Sequence, residues 1–314
     1  MIPTLPLLLS HLFLSACAYT VHTGFNYGAF WSTGANPKHK PDYVAAFRAA
    51  YALNTSVAFD SARLFTCRQP GTTDKWIEAF DAAVETHTYL LPGLYLSEVR
   101  PSARKPGQTY ETNAQMLHYE LRALEGALAR YGNALGDLIM GLSVGNEDME
   151  QWYAGRETGV PEDVVAANVG TVRGVVNGGS AFGNTYPAIA KYLRGKPIGH
   201  TDTVLHATKV KGVDFIGMNA YPYWSGDPPA SMRDSYFGSL ESTRKAMPGK
   251  DVWLTEVGWP FKDTTSSKAG LGVANRENLQ KYWNDVGCGL FGLYTLFWFE
   301  LVQDTLSDQP DWYV

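Results

Sequence analysis

Cysteine is scarce in this 314-residue chain, which holds only Cys17, Cys67 and Cys288. That count excludes a small disulfide-stapled scaffold. No run of Lys or Arg occurs, and 26 basic residues against 31 acidic ones leave a net charge of −5. Nucleic acid is therefore not an expected partner. Past the first eighteen residues no stretch is long and apolar enough to span a bilayer, so no membrane association is expected. His22, His39, His87, His118, His200 and His206 show no paired ligand spacing. Isolated histidines belong more often to loops and helix surfaces, and neither metal nor cofactor is expected. Gly24-Phe25-Asn26-Tyr27-Gly28 has neither the spacing nor the following helix of a phosphate-binding loop, which argues against an open dinucleotide-binding sheet. No Ser/Thr-rich stalk and no hydrophobic tail appear, against a lipid-anchored chain.

What is present is apolar and aromatic. Hydrophobic residues make up 45% of the chain and charged ones 18%, enough to bury a large core. Aromatics reach 13%, with 9 Trp and 18 Tyr; their flat faces suit both core filling and stacking on sugar rings. At the start, Leu5 to Leu14 forms a short apolar run, and Ala16-Cys17-Ala18 gives a small-x-small cleavage signal. Residues 1–18 read as a secretory leader lacking the usual basic start, with a bacterial lipoprotein signal on Cys17 as the other reading. Plain secretion is the expectation, leaving residues 19–314 as one domain. Asn54-Thr55-Ser56 is a glycosylation sequon, meaningful only where exposed.

The mature chain alternates strand and helix without a linker. Strands are expected at 21–27, 62–65, 89–96, 138–144, 197–201, 213–220, 251–256 and 292–300. Between them helices are expected at 41–52, 74–84, 112–131, 231–247 and 273–286. The Gly-rich stretch 161–195 should supply two helical pieces and a loop. Pro92 inside the third strand calls for a bulge or a strand end. Eight such units over the usual length point to an α/β fold, a (β/α)₈ TIM barrel with little or no closing helix. Cys67 follows a strand and Cys288 precedes one, so they should sit unpaired at opposite ends, each a small buried side chain.

Two strands share one design. Leu138 to Val144 is almost wholly apolar and ends in Gly145-Asn146-Glu147; Asp251 to Thr255 delivers Glu256 into Val257-Gly258-Trp259-Pro260. The carboxyl ends of barrel strands are where catalytic groups collect. Two carboxylates across one cleft suit glycoside hydrolysis: one held protonated to donate to the leaving oxygen, the other ionised to attack the anomeric carbon. Spacing alone does not say which is which.

Gly24-Phe25-Asn26-Tyr27-Gly28, Arg63-Leu64-Phe65, Ser143 to Glu147, Asn219 to Trp224 and Trp253 to Pro260 occur in that order. Together they resemble glycoside hydrolase family 17, in its fungal cell-wall branch of β-1,3-glucanases and glucanosyltransferases. The resemblance implies a clan A barrel, β-1,3-glucan polysaccharide or oligosaccharide as substrate, and retention of configuration. It makes Glu147 the acid/base and Glu256 the nucleophile, with carboxyl groups about 5–5.5 Å apart. Asn146 would hydrogen-bond the sugar 2-hydroxyl, Tyr221 and Arg63 would hold Glu256, and Asn26 and Tyr27 would floor the cleft. Tyr223, Trp224, Trp259 and Trp298 complete the expected substrate contacts, and Tyr95 and Trp152 join Tyr223 as candidate acceptor-side groups. Glu300 is either a site member or a rim salt-bridge partner. The glycosyl-enzyme resolves onto water in a hydrolase or onto a second glucan in a transglycosylase. A non-catalytic glucan-binding wall protein on the same barrel would be expected to lack one glutamate. An extracellular monomer at the cell wall is the expected setting.

Overall fold

Eight parallel strands close into a barrel in sequence order in the computed structural model, with β1 (Thr23–Tyr27) paired to both β2 and β8. The structure describes residues 20–32, 35–179, 185–263, 270–304 and 310–314; the expected leader at 1–18 lies outside them. After β1 come α1 (Lys40–Tyr51), β2 (Phe59–Leu64), α2 (Ala79–Thr86), β3 (Tyr89–Leu94), α3 (Asn113–Tyr131) and a single turn, α4 (Asn133–Gly136). Next are β4 (Leu142–Asn146), α5 (Asp148–Tyr153), α6 (Glu162–Val176), α7 (Pro187–Tyr192) and β5 (Ile198–Thr203). The ring finishes with β6 (Phe215–Ala220), α8 (Met232–Ala246), β7 (Asp251–Val257), α9 (Arg276–Asp285) and β8 (Leu296–Trp298). The chain is a (β/α)₈ barrel.

Local chemistry explains most boundaries. Thr112 caps α3 by accepting the Gln115 N–H, and the Gln115 side chain answers the Thr112 N–H in a capping box. That helix then buries Leu117, Leu121, Leu124 and Leu128 along one stripe. The glycine-rich stretch does split into two helices, α6 and α7. Helix α2 starts five residues later than its periodicity suggests, because Arg68 and Trp76 first form an antiparallel bridge. Strand β4 begins at Leu142, since Ile139 meets only Leu90 in an isolated bridge. β8 keeps three residues of the nine expected; Gly292, with φ at 74°, turns the chain just before it. Pro92 causes no bulge against β2, where it pairs with Leu64 in register. Its missing N–H falls on the β4 side, where the ladder lapses between the Leu90 bridge and Gly93. The described residues after β8 form no helix.

The barrel interior is layered. Leu91, Phe215, Trp253 and Phe297 form a separate apolar plug inside the lumen, with Phe215 and Trp253 stacked at 3.9 Å. Gly199 makes room for it: a Cβ there would sit 2.3 Å from the Phe215 ring. Above the plug the lining turns polar, with Asn26, Arg63, Ser143, Thr201, Asn219 and Thr255 all buried. The plug closes one end, so polar side chains above it can face only the other. Cys67 is buried, as expected, but Cys288 is exposed in the short turn after α9 and does not serve as core. Asn54 lies exposed in the connection from α1 to β2.

Candidate active site

Both glutamates leave their strands where the ladder slips. The β4–β5 register shifts between Ser143 and Asn146, and the β6–β7 register shifts between Met218 and Asn219, which pairs with Glu256. Bulges of this kind re-aim side chains beside active sites. At β4 the backbone goes further: Gly145 takes φ 80° and Glu147 φ 52°, both left-handed. A Cβ on Gly145 would lie 1.8 Å from Asp148 Oδ2, so only glycine fits this turn.

One hydrogen-bonded network joins the two carboxylates. Arg63, on β2 and 1% exposed, donates from Nη1 to Glu256 Oε1 at 2.8 Å and Asn26 Oδ1 at 2.7 Å, and from Nη2 to Asn146 Oδ1 at 2.6 Å. Tyr221 donates its hydroxyl to Glu256 Oε2 at 2.7 Å. On the other side Asn219 Nδ2 donates to Glu147 Oε1 at 2.9 Å and to Asn146 Oδ1 at 3.3 Å. The Asn219 oxygen in turn accepts from Thr255 Oγ1 at 2.8 Å. Asn146 spends its oxygen on these partners, which leaves its NH₂ to donate into the cleft.

The environments differ. Burial, and then the charge of Glu256, push Glu147 up to about 8, against the Asn219 hydrogen bond. Glu256 is paired with a buried guanidinium at 2.8 Å. Burial and the neighbouring Glu256 also raise the Tyr221 phenol well above its usual range, so it stays a donor. One carboxyl is thus held neutral near pH 7 while the other has a cation and a phenol to stabilise its anion.

Other expected contacts fall elsewhere. Asn26 lies beneath the network, its amide donating to the Thr255 and Phe297 carbonyls at 3.1 Å. Tyr27, next in the strand, points outward onto Phe47 of α1 and does not floor the cleft. Trp298 is likewise turned out between the barrel and α9, packed on Trp283 and Tyr282. Trp259 is fully buried against Tyr223 and Tyr282, its indole N–H donating to the Val273 carbonyl. Neither tryptophan can stack on a sugar. Tyr223 is buried too, bonded to Asp263, and braces Trp224 edge-on at 5.2 Å. Trp224 itself is 41% exposed. Glu300 is no rim ion-pair member: it is fully buried, and burial and the adjacent Asp304 raise its carboxyl strongly. Asp304 instead pairs with buried Lys38.

Sequence reasoning gave Asn219 no role, although it opens the quoted Asn219-Ala220-Tyr221 motif, and passed over Trp312. Trp312 packs against Tyr221 at 5.0 Å and Trp224 at 5.9 Å, tying the chain's last residues to the rim. Among the described residues no group of three or more His, Cys, Asp or Glu is placed to hold a metal ion. No described helix is long and apolar enough to cross a membrane.

Comparison with known families places this barrel. The BtgE/BtgC glycoside hydrolase domain matches residues 24–312. The chain belongs to that family. Among similar curated proteins, a probable glucan endo-1,3-beta-glucosidase, eglC, of Aspergillus oryzae is 33% identical over 312 residues, 94% of this chain and 60% of that protein. Its Aspergillus fumigatus counterpart is also 33% identical, across 94% of this chain and 62% of its own length. The chain therefore spans about three-fifths of the length of these relatives. Among solved structures, a glycoside hydrolase family 17 beta-1,3-glucanosyltransferase from Rhizomucor miehei shares the fold with TM-score 0.64 at 22% identity, covering 89% of this chain and 86% of that one. An active-site mutant of the same enzyme in complex with laminaritriose superposes with TM-score 0.63.

Proposed function

We propose that this BtgE/BtgC-type barrel is a retaining glycosidase of family 17 character acting on β-1,3-glucan, with Glu147 as acid/base and Glu256 as nucleophile. The observation that carries the reading is the contrast within one network: Glu147 is held protonated near neutrality, while Glu256 is clasped by Arg63 and Tyr221. Glu147 gives its proton to the glycosidic oxygen as Glu256 attacks the anomeric carbon, breaking that C–O bond and forming a glycosyl ester. Glu147, now a carboxylate, takes a proton from the incoming hydroxyl, which displaces Glu256 and returns the β configuration. Asn146 donates to the sugar 2-hydroxyl, an interaction that strengthens as the oxocarbenium character develops. The eglC relatives support β-1,3-glucan as the substrate.

The test is incubation with a defined laminari-oligosaccharide, following product length, linkage and anomer. Cleavage of β-1,3 bonds with retention, lost in Glu256→Gln, is expected; inverted product or full turnover by that variant overturns the assignment. Loss of activity in Glu256→Gln also removes the non-catalytic wall-protein alternative. A transglycosylase is the second reading, favoured by exposed aromatics on the connections after β3, β4 and β6. Tyr95, Tyr153 and Trp224 stand exposed, and Trp152 is pinned beneath the Arg100 guanidinium at 3.9 Å. Such faces hold an acceptor sugar well enough to compete with water. Products longer than the substrate support it.

Export to the cell wall, with residues 1–18 as the leader, completes the proposal. Passage through a glycosylating secretory route would place a glycan on exposed Asn54. A glycosidase-sensitive mass increase in secreted protein, absent from Asn54→Gln, is the expected result.

A further inference from the structure

Behind Glu147 lies a buried charge cluster that the reaction just described does not use. His200 projects from β5 away from the lumen and is essentially unexposed. Its Nδ1 lies 2.6 Å from the Val144 carbonyl oxygen and its Nε2 lies 3.1 Å from Asp202 Oδ2. A carbonyl oxygen can only accept. Asp202 also accepts, taking the Met149 N–H on Oδ2 at 3.1 Å and the Thr203 N–H on Oδ1 at 2.8 Å. A ring with one N–H would press a nitrogen lone pair against an oxygen at one of its two contacts. Between a carbonyl and a carboxylate two donors are needed, and that makes the ring an imidazolium. Its surroundings suit a cation: Asp202 on one side and Asp148 on the other, both buried.

The same groups bracket one short piece of backbone. His200 holds the carbonyl of Val144, before the left-handed turn; Asp202 holds the N–H of Met149, after it. Asp148 accepts the Ser97 hydroxyl and faces the N–H of Asn146. Between these anchors sit Asn146 and Glu147, the latter at φ 52°, a conformation a non-glycine residue keeps only when its surroundings over-determine it.

We propose that His200, as a doubly donating imidazolium clamped between Val144 and Asp202, is a positioning residue that fixes the proton-delivering carboxyl of Glu147 over the cleft. This rests on the reading of Glu147 as acid/base. A displaced Glu147 costs proton delivery and little else, and that difference can be measured. A glycosidic oxygen leaves only when protonated, whereas dinitrophenolate leaves without a proton. kcat/KM, which reports steps through the first bond cleavage, is therefore compared for laminaritriose and dinitrophenyl β-laminaribioside. His200→Gln is expected to lose about 100-fold on the first and under about 3-fold on the second, general-acid assistance being worth about 10²–10⁴-fold. Asp202→Asn sets an NH₂ where Oδ2 stood, so a neutral ring can still donate to Val144 and the Thr203 N–H keeps its oxygen, but the Met149 N–H loses its acceptor. Its loss on laminaritriose should be about tenfold, between wild type and His200→Gln.

Equal losses on both substrates, or no loss on either, overturn the proposal. Wild-type protein that turns over neither substrate overturns the glycosidase reading instead. Nitrogen-15 NMR of histidine-labelled wild-type protein needs no variant to fold. One histidine should keep both ring nitrogens protonated at pH 8, where a free imidazole is neutral; its absence overturns the imidazolium.

Discussion

The ends of β4 and β7 present the same residue type to one hydrogen-bonded network, and they treat it in opposite ways. Around Glu256 both side-chain partners donate to its carboxyl oxygens: Arg63 at 2.8 Å and Tyr221 at 2.7 Å. Around Glu147 the side-chain donor is one neutral amide, and burial with the charges of Glu256 and Asp202 outweighs the more distant Arg63. Chemical role here is a property of the neighbourhood, set by which strand carries a cation.

Removing that cation is the most severe way to break the contrast. Arg63→Met leaves Glu256 buried beside a neutral side chain and frees Asn146 from its 2.6 Å donor. Breaking a buried pair costs about 3–5 kcal/mol of folding stability, and because the nucleophile also loses the cation that favours its charged form, kcat/KM on laminari-oligosaccharides should fall by about 10³-fold or more. Arg63→Lys should recover only part, because one ammonium cannot reach Glu256, Asn26 and Asn146 together. A variant within tenfold of wild type would show that Glu256 needs no such support. Tyr221→Phe removes a single bond to a charged acceptor, worth about 1.5–3 kcal/mol; a 10- to 100-fold fall in kcat with little change in KM is expected.

Gly145→Ala attacks the other end. Its Cβ would meet Asp148 Oδ2 at 1.8 Å, at a φ of 80° that alanine resists. Strain of about 1–3 kcal/mol should lower Tm by several degrees and spoil the Glu147 turn. Unchanged stability would mean the turn can re-form with Asp148 displaced.

The barrel was legible because parallel strands buried on both faces read as short apolar runs punctuated by turn residues. The two glutamates were legible because each ends such a run. The errors come from strand alternation, which motifs hide. Asn26 points into the lumen, so Tyr27 must point out; Phe297 belongs to the lumen plug, so Trp298 must face the helices. Period-two bookkeeping along β1 and β8 would have removed both from the cleft. His200 and Asp202 share the outer side of β5 while Thr201 bonds Ser143 within the lumen. What brings that pair to the end of β4 is the parallel β4–β5 ladder and its slip between Ser143 and Asn146, which no residue motif announces.

The mildest test leaves the chemistry aside and compares the glutamates as loads on the fold. Glu147 binds its proton more tightly in the folded state, up to about 8 against an ordinary 4.5. Between those values the native state holds more protons than the unfolded chain, so stability falls as pH rises from about 4.5 towards 8. Glu147→Gln keeps the Asn219 bond and cannot ionise. Its Tm should match wild type near pH 4.5 and exceed it by about 2–4 °C or more at pH 8–9. Glu256→Gln should do the reverse, lowering Tm near neutral pH, because it leaves the Arg63 guanidinium buried without its anion. Thermal unfolding of both variants across pH checks the pair at once. If the two substitutions move Tm in the same direction at pH 8, the ends of β4 and β7 are not the unlike environments that their hydrogen bonds describe.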